Sequence, residues 1–404
     1  MSLQHAAVLH GPKDLRLETR PVSQPAHGEA QIAIVASGLC GSDHHYYTHG
    51  RNGAFELKAP LVLGHEAAGV ITALGPGVTH LRIGQRVAIE PGLACNSSNS
   101  NNDSHGHGHE QCRYCVDGRY NLCVNMRFCS SAKTFPHLDG TLQGYMNHPA
   151  SLLFPLPTDD CSFEAAALAE PLSVTLHAAR RASFRPGQTA LVFGTGAIGV
   201  LACAVAKAQG ASRVCAVDIN PARLAFVQSR GFADSTVCLS RIDEADPIKR
   251  ATLGAAQILE QVGEKEGFDA VFECSGAEPC IQMGVFAARP GGKLVLVDVL
   301  GVFRYHDTWP EALALLGSAK LQGVEDLVTH RLPLNRAREA FELVSRGVDD
   351  EGRLVMKVLV DSTTDETRGD GVEEGNKGFT EEPSRNSSIV SACGSTRTWA
   401  RVLY

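Results

Sequence analysis

Thr189 to Gly210 reads TALVFGTGAIGVLACAVAKAQG, and the fold turns on this stretch. An apolar strand, TALVF, runs into Gly194-Thr195-Gly196-Ala197-Ile198-Gly199, and that turn opens an apolar helical segment. Placed between strand and helix, the GxGxxG spacing has a physical meaning. The first glycine permits a tight turn, the second lets backbone approach a pyrophosphate, and the third lets the helix pack on the strand. The helix N-terminus contributes partial positive charge. Gly194, Gly196, Ile198 and Gly199 are therefore candidate dinucleotide contacts. The next apolar run, RVCAVDI, brings in Asp218 about twenty residues downstream, where a carboxylate accepts hydrogen bonds from ribose hydroxyls. The same charge repels a 2′-phosphate, which favours NAD over NADP; Arg223 lies close enough to weaken that preference. Gly187 to Ala206 is also nearly uncharged and long enough to suggest a membrane span, but the glycines of the turn interrupt it.

Outward from this stretch, strands continue to alternate with helical segments: PARLAFVQSRG, FDAVFECSG, PCIQMGVFAARPGG and KLVLVDV. Such alternation predicts a doubly wound parallel sheet, an α/β fold covered by helices on both faces. The chain before it reads as short β segments punctuated by glycine and proline, among them EAQIAIVASG and GQRVAIEPG. The expected division is a β-rich domain over 1–171, a nucleotide-binding domain over 172–316, and a return to the first domain over 317–360. The segment 361–404 is polar and glycine-rich and reads as a disordered tail. With 37 Lys+Arg against 44 Asp+Glu, the net charge is −7. No basic run is present, so neither nucleic acid nor an anionic membrane is expected as a partner. The N-terminus lacks the apolar core of a signal peptide, which points to the cytoplasm.

Thirteen cysteines in such a chain are better read as thiols or metal ligands than as disulfides. Cys112-x2-Cys115-x7-Cys123, with Cys95 ahead of them, supplies four thiolates suited to a closed tetrahedral zinc site. Between Cys95 and Cys112 lies NSSNSNNDSHGHGHEQ, read as a disordered surface insertion over 96–111. Its HGHGH could bind a metal loosely, though a solvated loop is favoured. Lengthening a flexible loop costs little, so the four sulfurs can still converge. A second set is more dispersed: Cys40-Gly41-Ser42-Asp43-His44-His45, then Gly64-His65-Glu66, then Glu170-Pro171. Taken singly these residues mean little.

In their setting they mean more. GHEAAGVITALG from Gly64, CGSDHHYYTHG from Cys40, EPLSV from Glu170 and GVFRY from Gly301 resemble the zinc-containing medium-chain dehydrogenase/reductase family, in particular its polyol branch. The resemblance runs from the N-terminus to about Val360. It implies a GroES-like catalytic domain, a Rossmann domain and a cleft between them. It also implies NAD-dependent oxidation of a polyol such as sorbitol, xylitol or L-arabinitol to a ketose, with one catalytic and one structural zinc. Cys40 and His65 are then ligands of the catalytic zinc, with Glu66 or Glu170 as the third, and Asp43 holds the other ring nitrogen of His65. Ser42 and His45 are the implied proton relay, and Tyr46, Phe128, Arg304 and Tyr305 the substrate contacts. The family implies a homo-tetramer.

One junction departs from that pattern. KLVLVDV ends at Val299 and LGVFRY begins at Leu300, leaving no room for the crossover of roughly a dozen residues that parallel neighbours need. Either the sixth strand is lost, or Lys293 to Tyr305 forms one continuous strand that carries Arg304 and Tyr305 away from the cleft. The junction puts nicotinamide binding and subunit pairing in question and raises an altered splice product as its origin. Rival readings are a catalytically impaired NAD-binding protein and a zinc dehydrogenase acting on a simple secondary alcohol or threonine.

Overall fold

The computed structural model describes residues 2–95, 111–297 and 302–363. The expected insertion thus falls almost wholly outside the described residues, as does nearly all of the expected tail. Ordered chain continues slightly past the tail's expected start: strand Lys357–Asp361 is followed by a turn in which Thr363 N–H donates to Asp361 Oδ1 at 2.7 Å.

Five parallel strands form one sheet, in the order Ser235–Cys238, Arg213–Asp218, Thr189–Phe193, Phe268–Glu273, Ala288–Leu296. Helices Ala197–Ala208, Pro221–Ser229, Pro247–Gln261 and Glu278–Ala287 alternate with these strands. The two middle helices start where the sequence says they should. Asn220 and Asp246 accept backbone N–H groups of the first turn, and Pro221 and Pro247 sit where no N–H is needed. Helix Ala197–Ala208 is buried from Gly199 to Ala206, between the sheet and the long helix Ala169–Ala182. Its uncharged surface is thus core. No helix among the described residues is long and apolar enough to cross a membrane.

The second large sheet has seven strands. Its main path is Leu153–Pro155, Arg86–Ile89, Glu66–Leu74, Glu29–Gly38, Lys357–Asp361 and Val328–Pro333, and Tyr145–Pro149 also pairs with Glu29–Gly38. The last two strands of the chain therefore complete a sheet begun near its start. One hydrophobic cluster runs from Ala36, Ala68 and Ala88 through Leu172 and Leu176 to Val192 and Leu201, so a shared core joins the two sheets.

Val299 and Leu300 lie outside the described residues, but the described chain on either side of them favours the lost strand. Ala288–Leu296 is the sheet edge, and no sixth parallel strand lies beyond it among the described residues. Lys293 to Tyr305 is not one strand. Pairing stops at Leu296, Val302 N–H donates back to Leu296 O at 3.1 Å, and Arg304 and Asp307 adopt left-handed φ values of 54° and 52°. The turn leads into helix Trp309–Leu316, with the Tyr305 ring edge-on to Trp309. Tyr305 is only 3 % exposed. Neither Arg304 nor Tyr305 is carried away.

Candidate active site and metal centres

Cys40 immediately precedes helix Gly41–His49, whose first turn is closed by Asp43 Oδ2 accepting the Cys40 N–H at 3.2 Å. Asp43 Oδ1 accepts the Gly64 N–H at 3.1 Å, which fixes the chain just before His65 and Glu66. Glu66 opens strand Glu66–Leu74 beside Gly38. A Cβ at Gly38 would lie 2.2 Å from Glu66 Oε2, so the glycine makes room for the carboxylate. The Cys40 sulfur, a His65 ring nitrogen and a Glu66 oxygen end up within 4.8 Å of one another. Glu170, in the first turn of helix Ala169–Ala182, falls outside that trio.

The trio sits among buried charged groups. Burial pushes the His65 imidazole down, but Asp43 and Cys40 outweigh it and hold it well above its ordinary value. Asp43 is kept low despite complete burial by His65 and by hydrogen bonds from Gly64 N–H and Ser130. His65 Nδ1 lies 2.8 Å from Ser130 Oγ and 3.4 Å from Asp43 Oδ2. The buried Lys357 ammonium binds both Glu66 oxygens at 2.7 Å and donates to Leu39 O at 3.2 Å. A thiol, an imidazole and a carboxylate within 4.8 Å of one another fit zinc by donor type and spacing, and three protein donors leave a coordination position open.

Burial raises Glu170 to about 7, with His65 pulling it down and Glu66 pushing it up. The buried Tyr305 hydroxyl is raised by burial and by the charge of Glu170. The Arg304 guanidinium lies 4.0 Å over the Phe128 ring, whose centroid is 5.4 Å from that of His65. Burial lowers Arg304 to about 10, and its Nη1 has no hydrogen-bond partner among the described residues. Tyr46 is buried on the Cys40 helix, and its hydroxyl accepts the Ala132 N–H at 2.9 Å. Phe128, Arg304, Tyr305 and Glu170 thus gather around His65. Ser42 and His45 share a face of the same helix, three residues apart. Burial lowers His45, and His49, 6.0 Å away between ring centroids, adds to the effect.

At the dinucleotide turn Gly194 has φ 81°, and a Cβ at Gly199 would lie 1.7 Å from Gly194 O. Gly196 caps helix Ala197–Ala208 with open space around it, and Ile198 follows in the first turn. The cradle suits a pyrophosphate. Asp218 Oδ2 accepts Thr195 N–H at 2.6 Å and Thr195 Oγ1–H at 2.8 Å, which ties the acid to the turn. Arg223 is half-buried, and its Nε has no partner among the described residues.

Cys95, Cys112, Cys115 and Cys123 also converge within 4.8 Å, despite the insertion between the first two. Cys112 N–H donates to Cys95 Sγ at 3.3 Å and Cys95 N–H to Cys123 Sγ at 3.4 Å. Four converged sulfurs, two of them accepting these backbone N–H groups, fit a closed zinc site.

Three residues of the site escaped sequence reasoning. Lys357 had a signal, a lone charge within the apolar run LVMKVLV. Ser130, at φ 60°, and Glu90, buried and raised to about 8 by its burial, gave none that spacing could show.

The alcohol dehydrogenase GroES-like domain family matches residues 26–158, and the zinc-binding dehydrogenase family matches residues 197–324. Sorbitol dehydrogenase of Rattus norvegicus is 40 % identical over 372 residues, covering 87 % of this chain and 94 % of its own length. The Homo sapiens sorbitol dehydrogenase is 40 % identical over 360 residues, with coverages of 84 % and 92 %. Among solved structures, L-idonate 5-dehydrogenase of Escherichia coli is similar at TM-score 0.72 and 26 % identity, covering 89 % of this chain and 98 % of that one.

Proposed function

We propose a function from the premise that the chain belongs to the zinc-containing medium-chain dehydrogenase/reductase family, polyol branch: it oxidises a polyol to the corresponding ketose with NAD. The observation that carries this reading is the gathering of Arg304, Tyr305 and Glu170 around the Cys40–His65–Glu66 trio. Cys40, His65 and Glu66 would hold the catalytic zinc, with Glu170 beside it as a carboxyl poised near neutrality. Cys95, Cys112, Cys115 and Cys123 would hold a structural one. When bound, zinc supplies Lewis acidity toward the substrate hydroxyl and the nicotinamide supplies the hydride acceptor.

The chain's own residues do the rest. Arg304 Nη1 and the hydroxyls of Tyr305 and Tyr46 bind the hydroxyl-rich chain, where an unmet donor penalises a less hydroxylated substrate. Phe128 covers one side of His65 and excludes water. Asp43 and Ser130 fix the His65 ring through Nδ1. Ser42 and His45 carry the hydroxyl proton outward, and His45, held low by burial, is neutral and able to accept it. Gly194, Gly196, Ile198, Gly199, Asp218 and Arg223 seat the dinucleotide. A homo-tetramer and a cytoplasmic location complete the reading; sedimentation of the purified chain tests the first.

The test is NAD-dependent oxidation of sorbitol, xylitol and L-arabinitol by the full chain. Turnover abolished by a chelator and restored by zinc is expected. Folded, zinc-loaded protein that binds NADH without turning over any of the three would overturn the reading in favour of an impaired binding protein.

A further inference from the structure

The segment 302–308 carries Arg304 and Tyr305 but belongs to no strand or helix. Val302 and Tyr305 pack into the main core and Thr308 O accepts the Ala312 N–H at 2.8 Å, but its other backbone hydrogen bonds to the rest of the chain are few: Val302 N–H to Leu296 O at 3.1 Å, and Arg180 Nη1 to His306 O at 3.2 Å on the surface. Two further hydrogen bonds reach its backbone from outside, both from one short turn, Tyr120–Leu122. Asn121 Nδ2–H donates to Phe303 O at 2.8 Å, and the Tyr120 hydroxyl accepts the Asp307 N–H at 2.9 Å while donating to Glu90 Oε1 at 3.0 Å. These bonds flank Arg304 and Tyr305. They also bracket the left-handed Arg304 and hold the left-handed Asp307 directly, two residues whose backbone strain needs an external hold.

That turn lies inside the four-cysteine lobe, between Cys115 and Cys123, and Cys123 N–H donates to Tyr120 O at 2.9 Å. The lobe leaves the β-rich domain at Gly92–Leu93 and returns at Arg127–Phe128, where the two segments pair. Among the described residues its own buried apolar core is Ala94, Cys115, Cys123 and Met126, with Cys95, Cys112 and Tyr120 packed against it. So small a core cannot fix a turn without a crosslink, and four thiolates around one ion provide it.

We infer that the four-cysteine lobe is a metal-dependent clamp on the substrate loop, with Asn121 and Tyr120 as positioning residues for Arg304 and Tyr305. The metal there would then set substrate affinity as well as stability. This rests on the proposed polyol chemistry, but the clamp can be measured apart from it.

The experiment uses the zinc-loaded full chain, its Cys115→Ser variant, and Asn121→Ala and Asn121→Asp variants that leave the thiols alone. Hydrogen exchange over 302–309, NADH affinity, zinc content and the KM for sorbitol or xylitol are read together. We expect faster exchange over 302–309 in all three variants, KM raised about tenfold for one lost hydrogen bond, a smaller change in kcat and unchanged NADH affinity. The Asn121 variants should keep their full zinc content. Unchanged exchange over 302–309 in the Asn121 variants, or faster exchange with KM unmoved, overturns the clamp. Should Cys115→Ser fail to fold, the Asn121 pair decides alone. Absence of polyol turnover in the unaltered chain would defeat the polyol reading, while the exchange data would still decide whether the lobe holds the loop.

Discussion

The two cation-ready clusters are built in opposite ways. Cys95, Cys112, Cys115 and Cys123 come from one excursion between Leu93 and Arg127, around a small core of its own. Cys40, His65 and Glu66 come from a helix cap and a strand start, held in turn by Ser130 and by Lys357 from near the end of the described chain. The first cluster depends on local spacing and an ion. The second depends on the whole fold: Asp43 spans the two donor segments, Gly38 clears space for Glu66, and a shared core holds both sheets in place. A local cluster can accept a long insertion between its donors. A dispersed one has no such tolerance, because its donors are held by two separate elements, the cap of helix Gly41–His49 and the start of strand Glu66–Leu74.

The difference can be broken most sharply at His65. A His65→Ala variant is expected to lower kcat/KM for a polyol by about three orders of magnitude or more, since it removes a donor of the dispersed site. Steady-state kinetics with zinc analysis check it, and activity within tenfold of the unaltered chain would deny His65 its role. Next in size is Lys357→Met. The buried Glu66 carboxylate would lose the ammonium that holds both its oxygens, for a cost of about 3–5 kcal/mol in denaturant unfolding. A loss under about 1 kcal/mol would mean that Glu66 is already served by other partners.

Glu90 sharpens the comparison through pH. Burial raises it to about 8, the Tyr120 hydrogen bond opposes this, and the charges of Asp307 and Glu170 add to the rise. Its folded value is above its ordinary one, so the fold favours the protonated acid. Its contribution is present below about pH 4.5 and lost as pH rises towards 8, a span of roughly 3–5 kcal/mol. Glu90→Gln should flatten the stability decline between those limits, read as unfolding midpoint against pH. The smallest effect belongs to Ser130→Ala: the His65 ring loses its partner at 2.8 Å but keeps Asp43, and zinc affinity should fall about 10–100-fold. Competition with a chromogenic chelator measures this, and an unchanged affinity would leave the ring to Asp43 alone.

The same contrast explains which features the amino-acid order makes legible. The GxGxxG turn, Asp218 and the four cysteines are short-range patterns whose spacing carries their geometry, and the alternation of strands with helices is enough to predict the parallel sheet. The dispersed site is legible only as a resemblance. The choice between Glu66 and Glu170 stays open in the sequence because it depends on which carboxylate falls beside Cys40 and His65, and that is set by pairing between Glu29–Gly38 and Glu66–Leu74. Arg304 and Tyr305 are recognisable, yet their fate after the missing crossover is not. It turns on two left-handed residues and a backbone bond to Leu296, which no period or composition encodes. Asn121 and Ser130 act across long sequence distances, and nothing local marks them.

The lost strand leaves a last consequence. Ala288–Leu296 ends the parallel sheet with one unpaired side among the described residues, and Val285 and Phe286 are exposed on the helix before it. An open edge is a template on which a foreign strand can grow, the usual first contact in aggregation. Here the template is short. Pro290 offers no N–H, Gly291 and Gly292 weaken the strand, and Lys293 places charge at the point where regular pairing resumes. Only Leu294 to Leu296 remains as a clean apolar rung, so the chain carries its own gatekeepers at the place where its sheet was cut short.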